Sequence, residues 1–474
     1  MTRIRRDPPE TKHRRRTGTP PQPGALAVKR VDLGRTKLPF PKVVDIAGLK
    51  LNPSPVLATF FAFVSERHQV FCRRLAGEPQ SEWTQDPILQ QYPFTNVFRV
   101  FDRVTQYILL EVVRKGDQAL HEQCFRLMLF RSFNKVETWE YLLEKIGDLT
   151  WRDFDLVAYE KALLTRQQQG IPLYNPAYII PSPKLGASAA ASNHLRLIQL
   201  MMEEDLPSQL QELEHLKDAH GRIMLFPGMG EFMALQLLLD LNMTSHFNYS
   251  EDEWVALGPG SLECLRKMFG PDVRGHELDA LRWLHQTQHE HFARLGTPPD
   301  RVPQLVRGRA AGLSMVDMEH ALCECEKYSR AAHPTIQGRR QRVGKRQFAP
   351  RPAPITAEVP AHWLDARSRR RTVYAEPPPV ELDGLVVYEV SHIVAERKNS
   401  QAGDPAYLIR WVGWGPDDDT WERESTLADG APDVLAEWTS AKARIRARVQ
   451  EFQEMGARYR PSLGTQARKG TETV

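Results

Sequence analysis

The chain lacks any run of about 20 consecutive apolar residues, the length a membrane-spanning helix needs. Its first residues, MTRIRRDPPETKHRRR, also lack an apolar stretch behind their charges. The expectation is a soluble chain that is not secreted. Cysteine is scarce: five residues, Cys72, Cys124, Cys264, Cys323 and Cys325, odd in number and scattered, exclude a disulfide framework and suit a reducing compartment. Cys323 and Cys325 flank Glu324 at a spacing wrong for a zinc knuckle, and they read as buried thiols. His285, His289 and His291 lack the intervening glutamate of a metalloprotease helix and read as a solvated helix face. A phosphate loop is missing too. Gly338 to Lys345 has one residue too many between its glycines, and Arg346 stands where Ser or Thr should hold magnesium. No kinase chemistry, metal or cofactor is expected in this chain.

What is present is uneven. The 474 residues are 41% hydrophobic and 26% charged, enough for two to four domains. The net charge of +4 hides a strong asymmetry, since residues 1–55 carry 13 Lys/Arg against 4 Asp/Glu and residues 331–384 carry 10 against 5. Both segments are rich in proline. They read as a disordered basic arm (1–55) and a flexible Pro/Arg-rich linker (331–384), too poor in apolar surface to repay ordering. KHRRR at Lys12–Arg16 suits nuclear import or a phosphate backbone, with a solvated tail as the alternative.

Residues 56–330 repeat apolar positions at i, i+3, i+4 and i+7 with almost no alternation, which predicts an all-α domain. The break YNPAYIIPSPKLGASAAAS at 174–192 divides it into two helical lobes with a cleft between them. Two glycine motifs stand out, FPGMGEFMA with Gly228 and Gly230, and LGPGS with Gly258 and Gly260. Each opens a helix where backbone amides could meet a DNA phosphate, and each is equally a structural turn.

From Leu385 the pattern alternates. LVVYEVSHIVAER, AYLIRWVGW and DTWER predict three short strands of an antiparallel sheet, followed by a helix from about Asp433, with a disordered tail at 451–474. VYEVSHIVAER, YLIRWVGWGPDDDTWERESTL and APDVLAEW resemble a chromodomain over residues 385–450. That resemblance implies a methyl-lysine cage of Tyr388, Trp411 and Trp414, with Asp418 beside the ammonium. It further implies a peptide edge at Val387 and Val390 with Thr426 nearby, a core role for Trp421, and packing of the helix by Trp438. Rings around a methylated cation use the negative faces of their π-systems.

The body has its own resemblance. RHQVFCRRLAGEPQSEWTQDPIL, YPFTNVFRVFDRVTQYI, LFRSFNKVETWEYL, FPGMGEFMALQLLLDL, VALGPGSLECLRKMFG and LCECEKYSR are similar to the helical domain of 5-hydroxymethyluracil DNA kinases, a domain grouped with the alpha-glutamyl/putrescinyl thymine pyrophosphorylases. The resemblance implies contact with DNA or a modified base, and by motif it carries over Arg67, Arg74, Trp83, Asp86, Asn96, Arg99, Asp102, Arg103, Asp240, Glu324 and Lys327. Asp240, Arg99 and Arg103 are the candidate catalytic residues, with a buried salt-linked core as the alternative. Arg14, Arg15, Arg16, Arg339, Arg340, Arg369, Arg370 and Arg371 are the candidate phosphate contacts. Three readings stay open: a nuclear chromatin protein that reads methylated histone lysine and acts on modified DNA bases with partner enzymes in other chains, a non-catalytic chromatin adaptor, and a domesticated mobile-element protein.

Overall fold

The computed structural model describes residues 3–5, 39–176, 180–336, 338–349, 355–364, 380–382, 385–397 and 405–458. The body opens on a hairpin of β2 (Val44–Ile46) and β3 (Leu49–Leu51), turned at Ala47 and Gly48, both at positive φ. Val44, Ile46 and Leu51 enter the core, and Phe40 stacks on His291. Residues 39–55 are therefore part of the fold, which corrects their assignment to a disordered arm. Two alternating tripeptides suffice because helices cover their apolar face.

The helices that frame the site are α1 (Val56–Leu75), α2 (Leu120–Phe133), α3 (Ala190–Glu203), α4 (Leu216–Ile223), α5 (Glu231–Leu241), α6 (Pro259–Phe269), α7 (Glu277–Arg294) and α8 (Met315–Ala332). α5 is apolar around most of its circumference, and every residue from Met233 to Leu241 is buried, as befits a central helix. One continuous core runs from Val44 to Cys325. The two expected lobes are thus a single body, because Leu185 fills the core and Asn193 ties the break together through Ala187 and Ser182.

His291 is another correction: it is 2% exposed, stacked on Phe61 at 4.7 Å, and neither ring nitrogen has a hydrogen-bond partner. Burial pushes it down to about 4, so it is a neutral ring in an apolar sandwich.

The described residues between 331 and 364 are laid along the body rather than hanging free. The Phe348 amide donates to the Gln91 carbonyl at 2.8 Å, Glu358 exchanges two hydrogen bonds with the Gln106 side chain, and Trp363 packs on the core. Phe348, Val359 and Trp363 are anchors spaced too widely to register as a periodic pattern.

The C-terminal module is a meander of β5 (Leu385–Arg397), β6 (Ala406–Trp411) and β7 (Thr420–Arg423), closed by α9 (Glu424–Gly430) and α10 (Pro432–Arg458). Two further strands, β1 (Arg3–Arg5) and β4 (Val380–Leu382), pair with the start of β5. Trp438 is buried and donates to Glu396 at 3.0 Å, holding α10 on the sheet. Trp421 contradicts its expected core role, being 38% exposed with Arg397 4.3 Å above its ring. Its strand is an edge whose alternation turns that ring outward.

Module and body share a built interface. All six positions of β6 are buried, because its two faces meet different partners. Tyr407, Ile409 and Trp411 face the module's own core, while Arg410 places Nη1 and Nη2 each 2.8 Å from the Asp218 carboxylate of α4. Asp419 accepts from Arg410 and Lys217. Backbones also touch: a Cβ on Gly221 would lie 2.0 Å from the Val394 oxygen, and one on Gly186, at φ +85°, 2.3 Å from the Phe452 oxygen. Only glycine permits such approaches.

Candidate functional site

The ring cage forms at the end of β6. The strand stops at Trp411, Gly413 takes φ +79°, and the Trp414 amide donates back to the Trp411 carbonyl at 3.1 Å. This turn brings Trp414 to the same side as Tyr388, whose ring lies 6.1 Å from Trp414 and 6.3 Å from Trp411 at steep angles of 75° and 70°. Tyr388 and Trp414 are half-buried, whereas Trp411 is 4% exposed and bonded through Nε1 to Thr420. Two rings are therefore open to a ligand and the third forms the floor. Asp418 closes the turn that follows, and Thr426 lies half-buried in α9. Val390 is buried and paired with Trp411 on its β6 side. Val387 is paired on both sides, with Arg5 and with Val380.

The body holds a buried charge cluster on α5. Asp240 is fully buried, with one oxygen 2.8 Å from Arg99 Nη2 and the other 2.6 Å from Arg131 Nε. Gln236, one turn earlier, accepts from Arg99 as well. With each oxygen held by a guanidinium group, Asp240 anchors two buried arginines. Arg103 does not join them. It is exposed at the start of a short helix, because the preceding 3-10 turn Arg99–Phe101 points the two arginines apart.

Two carboxylates that the motifs did not flag complete the cluster. The Arg99 amide donates to Asp317, whose other oxygen accepts from Ser314, and Asn242 donates to Glu251 at 3.0 Å. Burial, reinforced by the Asp317 charge, pushes Glu251 up to about 7, and burial raises Asp317 as well. Arg99, Glu251, Asp317 and Trp363 are among the residues that line a small enclosed cavity. A carboxyl poised near neutrality can give or take a proton. The spacing of Ser314-x-x-Asp317 is that of a helix cap, a signal the sequence reading passed over; Glu251 and Arg131 had no local signal.

A second polar seam runs along α8. Arg67 donates to the Phe94 carbonyl and to Asn96, the Asn96 amide donates to Asp102, and Asp102 pairs with His320. Glu324 lies between Lys327 and Lys345, whose charges hold it at about 2 against the upward pull of burial.

The glycine motifs serve packing. The Gly258 amide is taken by the Glu319 carboxylate at 3.0 Å, and a Cβ on Gly260 would sit 2.6 Å from the Cys323 sulfur. A phosphate there would compete with the chain's own acid. Gly228, at φ +83°, turns against Pro183, and Gly230 caps α5 ahead of Glu231. Arg339 and Arg340 are exposed and, with Arg330 and Arg342, line an open depression of about 520 Å³. Arg14–Arg16 and Arg369–Arg371 lie outside the described residues. Among the described residues no three His, Cys, Asp or Glu side chains are grouped to hold a metal.

Comparison with known proteins bears on both halves. Residues 54–338 match the model of the 5-hmdU DNA kinase helical domain, and residues 388–440 match the chromo domain. Among curated relatives, the 5-hmdU DNA kinase of Bacillus phage SP10 is 23% identical over 290 residues, covering 57% of this chain and 44% of the phage protein. The H3 lysine-9 specific histone-lysine N-methyltransferase of Schizosaccharomyces pombe is 39% identical over 59 residues, which is 12% of either chain. The chain thus spans less than half the length of each relative. No solved structure matches it. With that match covering more than half of its residues, the chain belongs to the 5-hmdU DNA kinase helical-domain family and carries a chromo domain behind the helical body.

Proposed function

We propose that this protein is a nuclear chromatin reader, whose chromo domain binds methylated lysine on a histone tail and whose helical body engages DNA. The observation that carries the reading is the angled ring group of Tyr388, Trp411 and Trp414 at a strand end. Such a group attracts a methylated ammonium through the ring faces while losing little hydration energy. The similarity to a lysine-9 methyltransferase supports a histone H3 tail as the first ligand to test. The experiment is calorimetric titration of the full chain with H3 tail peptides unmodified or trimethylated at lysine 9. Preference for the trimethylated peptide is expected, weakened roughly tenfold or more in Trp414→Ala, the scale of one desolvated cation–π contact. Equal binding of both peptides would refute the reading.

For the body, the arginine depression supports contact with phosphates, and the relation to a phage 5-hmdU DNA kinase supports a modified pyrimidine as the base engaged. The buried polar cluster of Arg99, Glu251 and Asp317 is the candidate for reading that base. A hydroxymethyl group adds a donor and an acceptor, which a polar pocket discriminates far better than an apolar one. Oligonucleotides differing only in thymine or 5-hydroxymethyluracil test this, and no discrimination between them would leave the body as a plain DNA or protein platform. Replacing Arg339, Arg340 and Arg342 by Ala should flatten the salt dependence of DNA binding, by about 0.9 in slope for each phosphate left without its arginine.

A further inference from the structure

The edge of the chromo sheet that would receive a peptide already carries a strand. β1 runs antiparallel to β5 with Arg3 opposite Glu389, Ile4 opposite Tyr388 and Arg5 opposite Val387, and it packs against α9. It therefore fills the slot between the cage residue Tyr388 on one wall and the helix bearing Thr426 on the other. A strand added to an open sheet edge is held by main-chain hydrogen bonds, which any extended peptide can supply. Charge favours this one. Glu389 stands opposite Arg3 in the register and the packed helix α9 carries Glu424 and Asp429, while the sequence Arg3-Ile4-Arg5-Arg6 is basic. The tripeptide contains no lysine, and the first lysine of the chain is Lys12, so β1 takes the backbone edge without offering the rings a methylated ammonium.

We propose that the chain's own N-terminal segment, Arg3–Arg5, is an intramolecular ligand of the chromo domain's peptide slot, and that an external methylated peptide must displace it. The displaced competitor explains what an unoccupied edge would otherwise risk, since open strand edges recruit other chains. The inference rests on the methyl-lysine reading only in its second half, and the test separates the two.

The full chain is compared with a variant lacking Thr2–Asp7 and with the double variant Arg3→Pro/Ile4→Pro, which removes two strand donors. A fluorescent H3 peptide trimethylated at lysine 9 should bind both variants about tenfold more tightly than the full chain, as expected when a competitor leaves only a tenth of the slots open. A labelled synthetic peptide of residues 1–10 should bind the truncated chain and be displaced by the trimethylated peptide. Truncation that leaves peptide affinity unchanged or weaker overturns the proposal, as does failure of the 1–10 peptide to bind at millimolar concentration. Binding of the 1–10 peptide with no response to any methylated peptide keeps the self-ligand and refutes the methyl-lysine reading instead. Sedimentation of the full chain should give a monomer; a dimer that dissociates on truncation would place β1 on a second copy and overturn the intramolecular assignment.

Discussion

Replacing Glu251 by Gln should stabilise the protein at neutral and alkaline pH, with a gain that disappears in acid. Burial and the neighbouring Asp317 charge lift the Glu251 carboxyl from 4.5 to about 7, against the hydrogen bond from Asn242 and the charge of Arg99. The folded protein thus keeps a proton that the unfolded chain releases near 4.5. Below 4.5 both states are protonated and the carboxyl costs nothing. Between 4.5 and 7 stability falls as pH rises, and above about 7 the penalty is constant. At about 1.4 kcal/mol per tenfold change in proton affinity, the full penalty is about 3 kcal/mol. Glutamine preserves the acceptor for Asn242 and abolishes the charge. Urea unfolding of both proteins at pH 4.5 and pH 8 checks this, with a variant advantage of about 3 kcal/mol at pH 8 and under about 1 kcal/mol at pH 4.5. An advantage of equal size at both pH values would refute the electrostatic argument and reduce the effect to packing.

Asp240→Asn should destabilise the body by about 3 to 5 kcal/mol, because it leaves Arg99 and Arg131 buried without their shared anion; a melting temperature within a degree of wild type would show that the cluster is solvated. Gly221→Ala should detach the chromo module from the body while each stays folded, since the added methyl meets the Val394 oxygen; a larger radius of gyration in small-angle scattering with unchanged circular dichroism is the expected readout. Trp411→Ala and Trp414→Ala should separate: the first, 4% exposed in the module's core, lowers the melting temperature, while the second chiefly lowers peptide affinity, and equal thermal effects would contradict their different burial.

The grouping of the three rings was legible because they sit in one local motif and Gly413 marks where the strand must stop. The fold class was legible from the change of apolar period near Leu385. Asp240 stood out for its place behind a glycine turn, and Arg99 was named beside it as a salt-linked alternative, but its other neighbours were not. Arg131 lies on α2, and Glu251 and Asp317 come from a loop and from the start of α8, so only the packing of helices far apart in sequence brings them together. Trp421 was misjudged because a resemblance supplies residue type without strand parity. The docking of 338–349 and 355–364 escaped notice since proline and arginine dominate the composition there, and composition cannot see that a few rings find sites on a preformed surface. Arg410 was not singled out, and nothing near it in sequence announces Asp218.

The helix α10 has a consequence for how the two halves could work together. Its 27 residues span about 40 Å. Trp438 near its start lies under the chromo sheet, and Phe452 near its end is sunk in the body's core, while Arg444 and Arg448 clamp Glu204 and Glu203 beside α3. A single stiff rod thus fixes the spacing between ring cage and arginine depression. On the proposed reading the molecule is a ruler: capturing a histone mark determines which stretch of duplex lies within reach, and marks at the wrong separation from DNA go unread however well the cage accepts them.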